Sequence, residues 1–309
     1  MVPSERGVHQ GAPLSMCLYQ IYINDLLKQL KNCGHGLCIG DINVASPAYA
    51  DDVSVGSIHK PGLNIMLQIA HDYAKKWRYE YSEEKCVYMM WGRDSFPNLS
   101  VTLGDVQLNC VKQSTHMGLE ICANSQSEND ALMKRIGKCR QSLLAFRGIG
   151  TYNVPATPSV LSNAYNSVSL VRMLYGLEVL PVKSAALNEL EHAHLQHAKI
   201  IQNLPKSTAR PAPLATVGWQ SIKAVVTKMK MLFIIRMLMF PSDNIYRKVV
   251  IFCIRFHDLV SRESIKDMFT MSPTADMYRY ARKYGLSYIV DNLISGNDEV
   301  NKQAIKIII

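Results

Sequence analysis

No Cys-x-x-Cys pair occurs in the 309 residues, although eight cysteines are present: Cys17, Cys33, Cys38, Cys86, Cys110, Cys122, Cys139 and Cys253. No apolar leader opens the chain either. Together these absences argue against a disulfide framework and for a reduced, intracellular setting, nucleus or cytoplasm. Long hydrophobic runs are missing too. Met231 to Phe240 and Val249 to Phe256 are the strongest, but each carries an arginine and is too short to cross a bilayer, so both read as buried helices with no membrane role. There is no low-complexity tract, internal repeat, basic block or arginine-rich tail. His192, His194 and His197 lack a nearby cysteine to complete a metal set, and a solvated helix face is the expected reading for them.

What is present is an uneven charge. The chain carries 34 Lys+Arg and 25 Asp+Glu, a net +9. Residues 1–129 hold 10 basic and 13 acidic side chains, a net −3. Residues 130–309 hold 24 and 12, a net +12. An acidic half suits a metal site and a basic half suits a phosphate backbone. At 48% hydrophobic content, the length is sufficient for one or two cores.

Tyr49-Ala50-Asp51-Asp52 sits between two apolar, β-prone segments, Ile42 to Tyr49 and Val53 to Ile58. Adjacent carboxylates on a straight strand point to opposite faces, but at a hairpin tip they can converge. Converging carboxylates make a hard oxygen site suited to Mg²⁺, with Mn²⁺ as the alternative ion. An Asp-Asp pair alone is ordinary in solvated turns; its surroundings decide its meaning. Upstream, Arg6-Gly7-Val8-His9-Gln10-Gly11-Ala12-Pro13 pairs a glycine loop with a proline suited to a first helical turn. The helix that follows reads Leu14, Cys17, Leu18, Ile21 and Tyr22 as its apolar stripe, closing before Gly34 and Gly36. The 40 residues from Gly11 to Asp51 suffice for one helix and one strand. Beyond the pair, Leu63, Met66, Ala70, Tyr73 and Trp77 form a second helical stripe. Cys86 to Trp91 reads as a strand, and Leu103-Gly104-Asp105-Val106 as a hairpin turn.

A glycine loop, an amphipathic helix and a carboxylate hairpin, in that order, resemble the palm of a reverse transcriptase, most closely those of non-long-terminal-repeat retrotransposons. Trp77 to Lys85 is similar to the family segment that ends in a lysine before a strand. His116-Met117-Gly118-Leu119 resembles the primer-grip strand. Leu174 to Glu178, Leu204 to Arg210 and Val217-Gly218-Trp219 are similar to the helical region beyond the palm, so the resemblance spans about residues 6 to 240. It implies an α+β fold: a partial, mostly antiparallel palm over residues 1–124, a helical thumb-like region over 125–240 and a helical tail over 241–309. The polar stretch Asn124 to Asn129 and Pro241-Ser242-Asp243-Asn244 mark the expected boundaries.

The resemblance also implies roles. Asp51 and Asp52 would hold Mg²⁺, and Lys85 would give a proton to the leaving pyrophosphate. Arg6, Gln10, Gly11, Tyr49, Ala50, Met117 and Gly118 would line the nucleotide, RNA template and DNA primer. Ala50 is small enough to let the primer end approach. The chain departs from the family in three ways: only Met1 to Glu5 precede the Gln-Gly loop, where the family places a further aspartate strand and fingers; His9 stands where arginine is usual; and Met16 stands where proline is common. Asp25, placed at a helix end, and Asp41, in a turn after Gly40, are poor substitutes for the upstream aspartate. Pro47 lies inside an expected strand, which suggests an edge or bulge. The expectation is a polymerase fragment inactive alone and prone to self-association along an open strand edge. The alternatives are a polymerase completed by a missing segment, and a non-catalytic nucleic-acid binder.

Overall fold

The computed structural model describes residues 7, 12–91, 100–123, 125–147, 156–180, 182–262 and 273–296, and its architecture is α+β. The chain divides into two compact units, Met1–Ser114 and Thr115–Ile309. Residue 124, one expected boundary, lies outside the described residues.

The first unit is built on two 18-residue helices. α1 (Ser15–Asn32) begins just after Pro13 and closes where the Cys33 N–H donates to the Gln29 carbonyl at 3.0 Å. Its buried residues are Ile23, Leu26 and Leu30, with Tyr19 and Leu27 packed beside them. The stripe expected from the sequence faces the other way: Leu14, Leu18 and Ile21 are exposed. α1 is apolar on two faces, so spacing alone could not choose between them. Asp25 is exposed in mid-helix rather than at an end, near Lys28 at 3.9 Å.

Strands β1 (Cys38–Ile39), β2 (Ile42–Asn43), β3 (Ala48–Tyr49) and β4 (Asp52–Val53) form two antiparallel hairpins. Backbone bonds from Gly56 to Ala45 and from Leu37 to Gly56 continue the ladders. Gly36 has no room for a side chain, since a Cβ there would lie 2.0 Å from that of Ala45. Pro47 falls between β2 and β3, consistent with its missing N–H. α2 (Lys60–Trp77) carries Pro61 in its first turn and buries Met66, Ala70, Tyr73 and Ala74. Its exposed end, Trp77, meets Tyr22 of α1 edge-on at 5.3 Å.

β5 (Val87–Tyr88) pairs in parallel with β8 (Asn109–Cys110), while β6 (Thr102–Leu103) and β7 (Val106–Gln107) form the hairpin turned by Gly104. That turn rests on α2: a Cβ on Gly104 would meet the His71 ring at 2.2 Å. The mostly antiparallel strands expected for a palm form, among the described residues, two-stranded ladders, one of them parallel.

β9 (Gln113–His116) and β10 (Leu119–Cys122) form a further ladder, with the unit boundary falling inside β9. The second unit is otherwise helical. α3 (Ser125–Arg147) takes in most of the polar stretch expected as a linker, because serine and glutamate suit a helix start. α4 (Pro158–Ala164), a π-helical turn at Tyr165–Ser169 and α5 (Leu170–Leu174) follow in one continuous run. Then come α6 (Ser184–Ile201), α7 (Pro211–Thr216), α8 (Ile222–Leu238), α9 (Ile245–Arg262), α10 (Pro273–Lys283) and α11 (Ser287–Ser295). Pro211 starts α7, as proline can at a first helical position.

Two cores fill this unit. One joins Cys139, Leu143, Tyr165, Met173 and Leu190 to Ile222 and Val226; the other joins Met231, Ile234 and Leu238 to Ile254, Met277 and Leu293. α8 serves both, which explains its apolar character all round. Pro241, expected at a second boundary, lies in the short link between α8 and α9, which share the second core. No described helix is long and apolar enough to cross a membrane.

Candidate active site

The carboxylate pair stands on the β3–β4 hairpin. Tyr49 is paired with Asp52 and Ala48 with Val53, leaving Ala50 and Asp51 as a two-residue turn. Directly opposed residues share a face. Val53 packs against the core of the first unit, so Tyr49 and Asp52 face outward. Tyr49 is 60% exposed, and Asp51 and Asp52 are both exposed. The hairpin tip thus presents two acceptor-only groups to solvent beside an aromatic ring.

The turn is set by Ala50, held at φ 51° in the left-handed region. A primed turn, which matches strand twist, requires a positive φ at its first position, and alanine adopts it at a cost of roughly 1–2 kcal/mol. We expect Ala50→Gly to raise stability by about 0.5–1 kcal/mol, the relief exceeding the added freedom of the unfolded chain. A denaturant midpoint that falls in Ala50→Gly would contradict the strained-turn assignment.

Tyr19 is the residue that sequence reading missed. Burial raises its hydroxyl pKa above the ordinary tyrosine range, and the charges of Asp51 and Asp52 press it further up. Tyr19 therefore lies within electrostatic reach of the pair, on the inward face of α1. The only available signal was its place four residues before Ile23, masked by the competing stripe.

The other expected residues are placed unevenly. Lys85 is exposed in the turn after Ser82, whose carbonyl accepts its N–H at 3.1 Å; among the described residues no contact joins it to the carboxylates. Met117 and Gly118 form the β9–β10 turn, both with positive φ, 53° and 74°. Arg6, Gln10 and Gly11 lie outside the described residues. No cluster of three or more His, Cys, Asp or Glu able to hold a metal occurs among the described residues. Asp51 and Asp52 fit a hydrated Mg²⁺, which commonly uses one or two carboxylates and keeps several waters; they do not by themselves make a two-ion cage.

Of the three histidines expected on a solvated face, His192 is exposed, but His194 and His197 are not. His194 and His197 are 1% and 2% exposed, packed around Tyr165 and Trp219. Cys139 Sγ lies 3.7 Å from His197 Nδ1, but burial pushes the thiol up to about 12 and the imidazole down to about 4. A neutral thiol beside a neutral imidazole is structural and no nucleophile.

No curated protein matches the chain. Residues 2–121 match the family model described as Reverse transcriptase (RNA-dependent DNA polymerase), a span that takes in the Gln-Gly loop, α1, the carboxylate hairpin and the β9–β10 turn, so this segment is similar to that family.

Proposed function

We propose that the chain is a fragment of a retrotransposon RNA-directed DNA polymerase, of the non-long-terminal-repeat class, in which Asp51 and Asp52 are the metal ligands of a nucleotidyl-transfer site. One observation carries the reading: both carboxylates are exposed at the tip of a two-residue hairpin, inside the segment that matches the family model. Mg²⁺, when bound there, would offset the negative charge of the transferring phosphate and make the attacking hydroxyl easier to deprotonate. Asp51 and Asp52 would supply the oxygens, Tyr49 a face beside them, and Ala50 a turn without bulk. Lys85, Arg6, Gln10, Gly11, Met117 and Gly118 belong to the proposed proton-donor and strand-lining set. The strands would be an RNA template and a DNA primer, with a deoxynucleoside triphosphate as the incoming group and a second copy as the partner along open strand edges.

Two carboxylates without a third oxygen ligand hold the ion weakly and leave the phosphate poorly oriented. The chain alone is therefore expected to be inactive, with activity appearing only when a further carboxylate comes from a longer product or a separate chain. Primer extension on an RNA template tests this. Background incorporation is the expected result for wild type and for Asp51→Ala alike. Mg²⁺-dependent synthesis by wild type, lost in Asp51→Ala, would overturn the inactive reading and keep the site.

A further inference from the structure

The run Val249 to Phe256, expected to be buried, is buried on one side only. It lies in α9, and the second core takes Val250, Ile251 and Ile254 from that side. At about 100° of turn per residue, Ile245, Val249, Phe252, Phe256 and Leu259 fall on the opposite side. Ile245, Phe256 and Leu259 are exposed, Leu259 by 59%, and Val249 and Phe252 are half-buried. The Phe252 and Phe256 rings lie nearly parallel, 9° apart, with centroids separated by 6.1 Å. The steps between these five positions are 4, 3, 4 and 3 residues, read directly from the chain. Strict 4-3 alternation makes the narrow seam of a helix pair, whereas a helix on a globular core carries a broader stripe.

The borders of the seam are unlike each other. Lys248 and Arg255, both exposed, run along one side, and Tyr246 and Cys253 along the other. In a helix pair these flanking positions choose the partner. A second copy packed antiparallel would set Lys248 and Arg255 against the same two cations. A parallel second copy would leave them opposite Tyr246 and Cys253, with no counter-charge. An anionic bilayer fits less well, because an interfacial helix sinks a wide apolar face and keeps the remainder polar. In α9 the remainder is packed on the core, and the cations stand on one side of a narrow ridge. Carboxylates along one edge of a partner helix complement that single basic flank.

We propose that the outer face of α9 is a docking surface for an amphipathic α-helix of another protein. That helix has an apolar seam of the same spacing and Asp or Glu along the flank that meets Lys248 and Arg255. The inference is independent of the polymerase reading. Two heptads are too short to hold two free helices together, since both would have to order. α9 is already fixed at its start. Asn244 Oδ1 accepts from the Tyr246 N–H at 2.9 Å. Arg247 donates through Nη1 to the Phe240 carbonyl at 2.9 Å and through Nη2 to the Leu293 carbonyl of α11 at 3.2 Å. Only the partner therefore loses freedom on docking, and the two phenyl rings offer it a large rigid contact.

The test is fluorescence anisotropy of the full chain with two labelled synthetic helices, each with leucine along its seam, one flanked by glutamate and the other by lysine. Wild type should bind the glutamate-flanked peptide about tenfold more tightly, and Lys248→Glu/Arg255→Glu should invert the preference. Leu259→Ser should weaken the favoured peptide, and the thermal melts of both variants should match wild type. Binding of neither peptide, equal affinity for both, or a preference kept in the charge-reversed variant would overturn the surface. Binding unchanged in Leu259→Ser would reduce the contact to charge alone and overturn the seam. A concentration-dependent dimer in light scattering, abolished by Leu259→Ser, would give the face to a second copy instead. Binding to phosphatidylserine vesicles, lost in Lys248→Glu/Arg255→Glu, would give it to a membrane surface. Either result would overturn the helix assignment.

Discussion

Replacing Lys230 with methionine should cost the second unit about 3–5 kcal/mol, the range for breaking a buried ion pair from one side. Lys230 lies on α8 between the two cores and is 1% exposed, and its ammonium donates to the Asp276 carboxylate. Asp276 is 7% exposed in the first turn of α10, where the helix dipole also favours its charge. Among the described residues, removing the lysine leaves that carboxylate with Arg279 as its ion-pair partner, mostly exposed and 3.5 Å away. The reverse holds for Asp276→Asn, which strands an ammonium in an apolar setting. The double variant Lys230→Met/Asp276→Leu should recover most of the loss, because an apolar pair needs no counter-charge. Denaturant melts decide the matter. A Lys230→Met midpoint equivalent to less than about 1 kcal/mol of loss would mean that the pair is hydrated and energetically idle.

Mild acid should unfold the same unit through a different core. His194 Nε2 faces the Gln220 carbonyl at 3.1 Å, so Nε2 carries the proton and donates, and Nδ1 accepts from the Tyr165 hydroxyl at 2.8 Å. Burial holds both His194 and His197 down to about 4, and for His197 the neighbouring His194 and Arg140 charges add to it. The unfolded chain protonates near the ordinary 6.5, so it binds more protons than the native state between these values. Stability from the neutral imidazoles is therefore complete above pH 6.5 and drains away as pH falls toward 4, by roughly 3 kcal/mol for each ring. Measuring the denaturant midpoint from pH 7 to 5 keeps clear of ordinary carboxylate titration. We expect a steady fall in wild type and a shallower one in His197→Gln. A flat wild-type profile over that window would contradict the buried, neutral assignment.

The parts of the molecule that could be read from sequence are those decided by local chemistry. Gly104-Asp105 gave a hairpin because only a positive φ closes that turn. Met66, Ala70 and Tyr73 of the expected α2 stripe are buried, while Trp77 at its end is exposed. The failures come from tertiary choice. α1 has two apolar faces, and the hairpins at Ala45 and Val53 selected Ile23, Leu26 and Leu30 over Leu14, Leu18 and Ile21. The polar start of α3 read as a linker because capping residues and loop residues are the same amino acids. His194 and His197 read as solvated because their partners are distant in sequence: Tyr165 lies 29 residues from His194 and 32 from His197, and Trp219 lies 25 from His194. At the candidate site the hairpin that carries Asp51 and Asp52 was legible in its β-prone flanks, whereas Tyr19 left no mark beyond its place four residues before Ile23.

We propose that the Asp51-Asp52 tip holds a divalent ion, and Mn²⁺ titration followed by water-proton relaxation tests this without requiring activity. Wild type should show weak, saturable Mn²⁺ binding that Mg²⁺ displaces and that Asp51→Asn/Asp52→Asn abolishes, with the thermal melt of the variant unchanged. Binding of equal strength in wild type and the double variant would place the ion elsewhere and remove the site from the account.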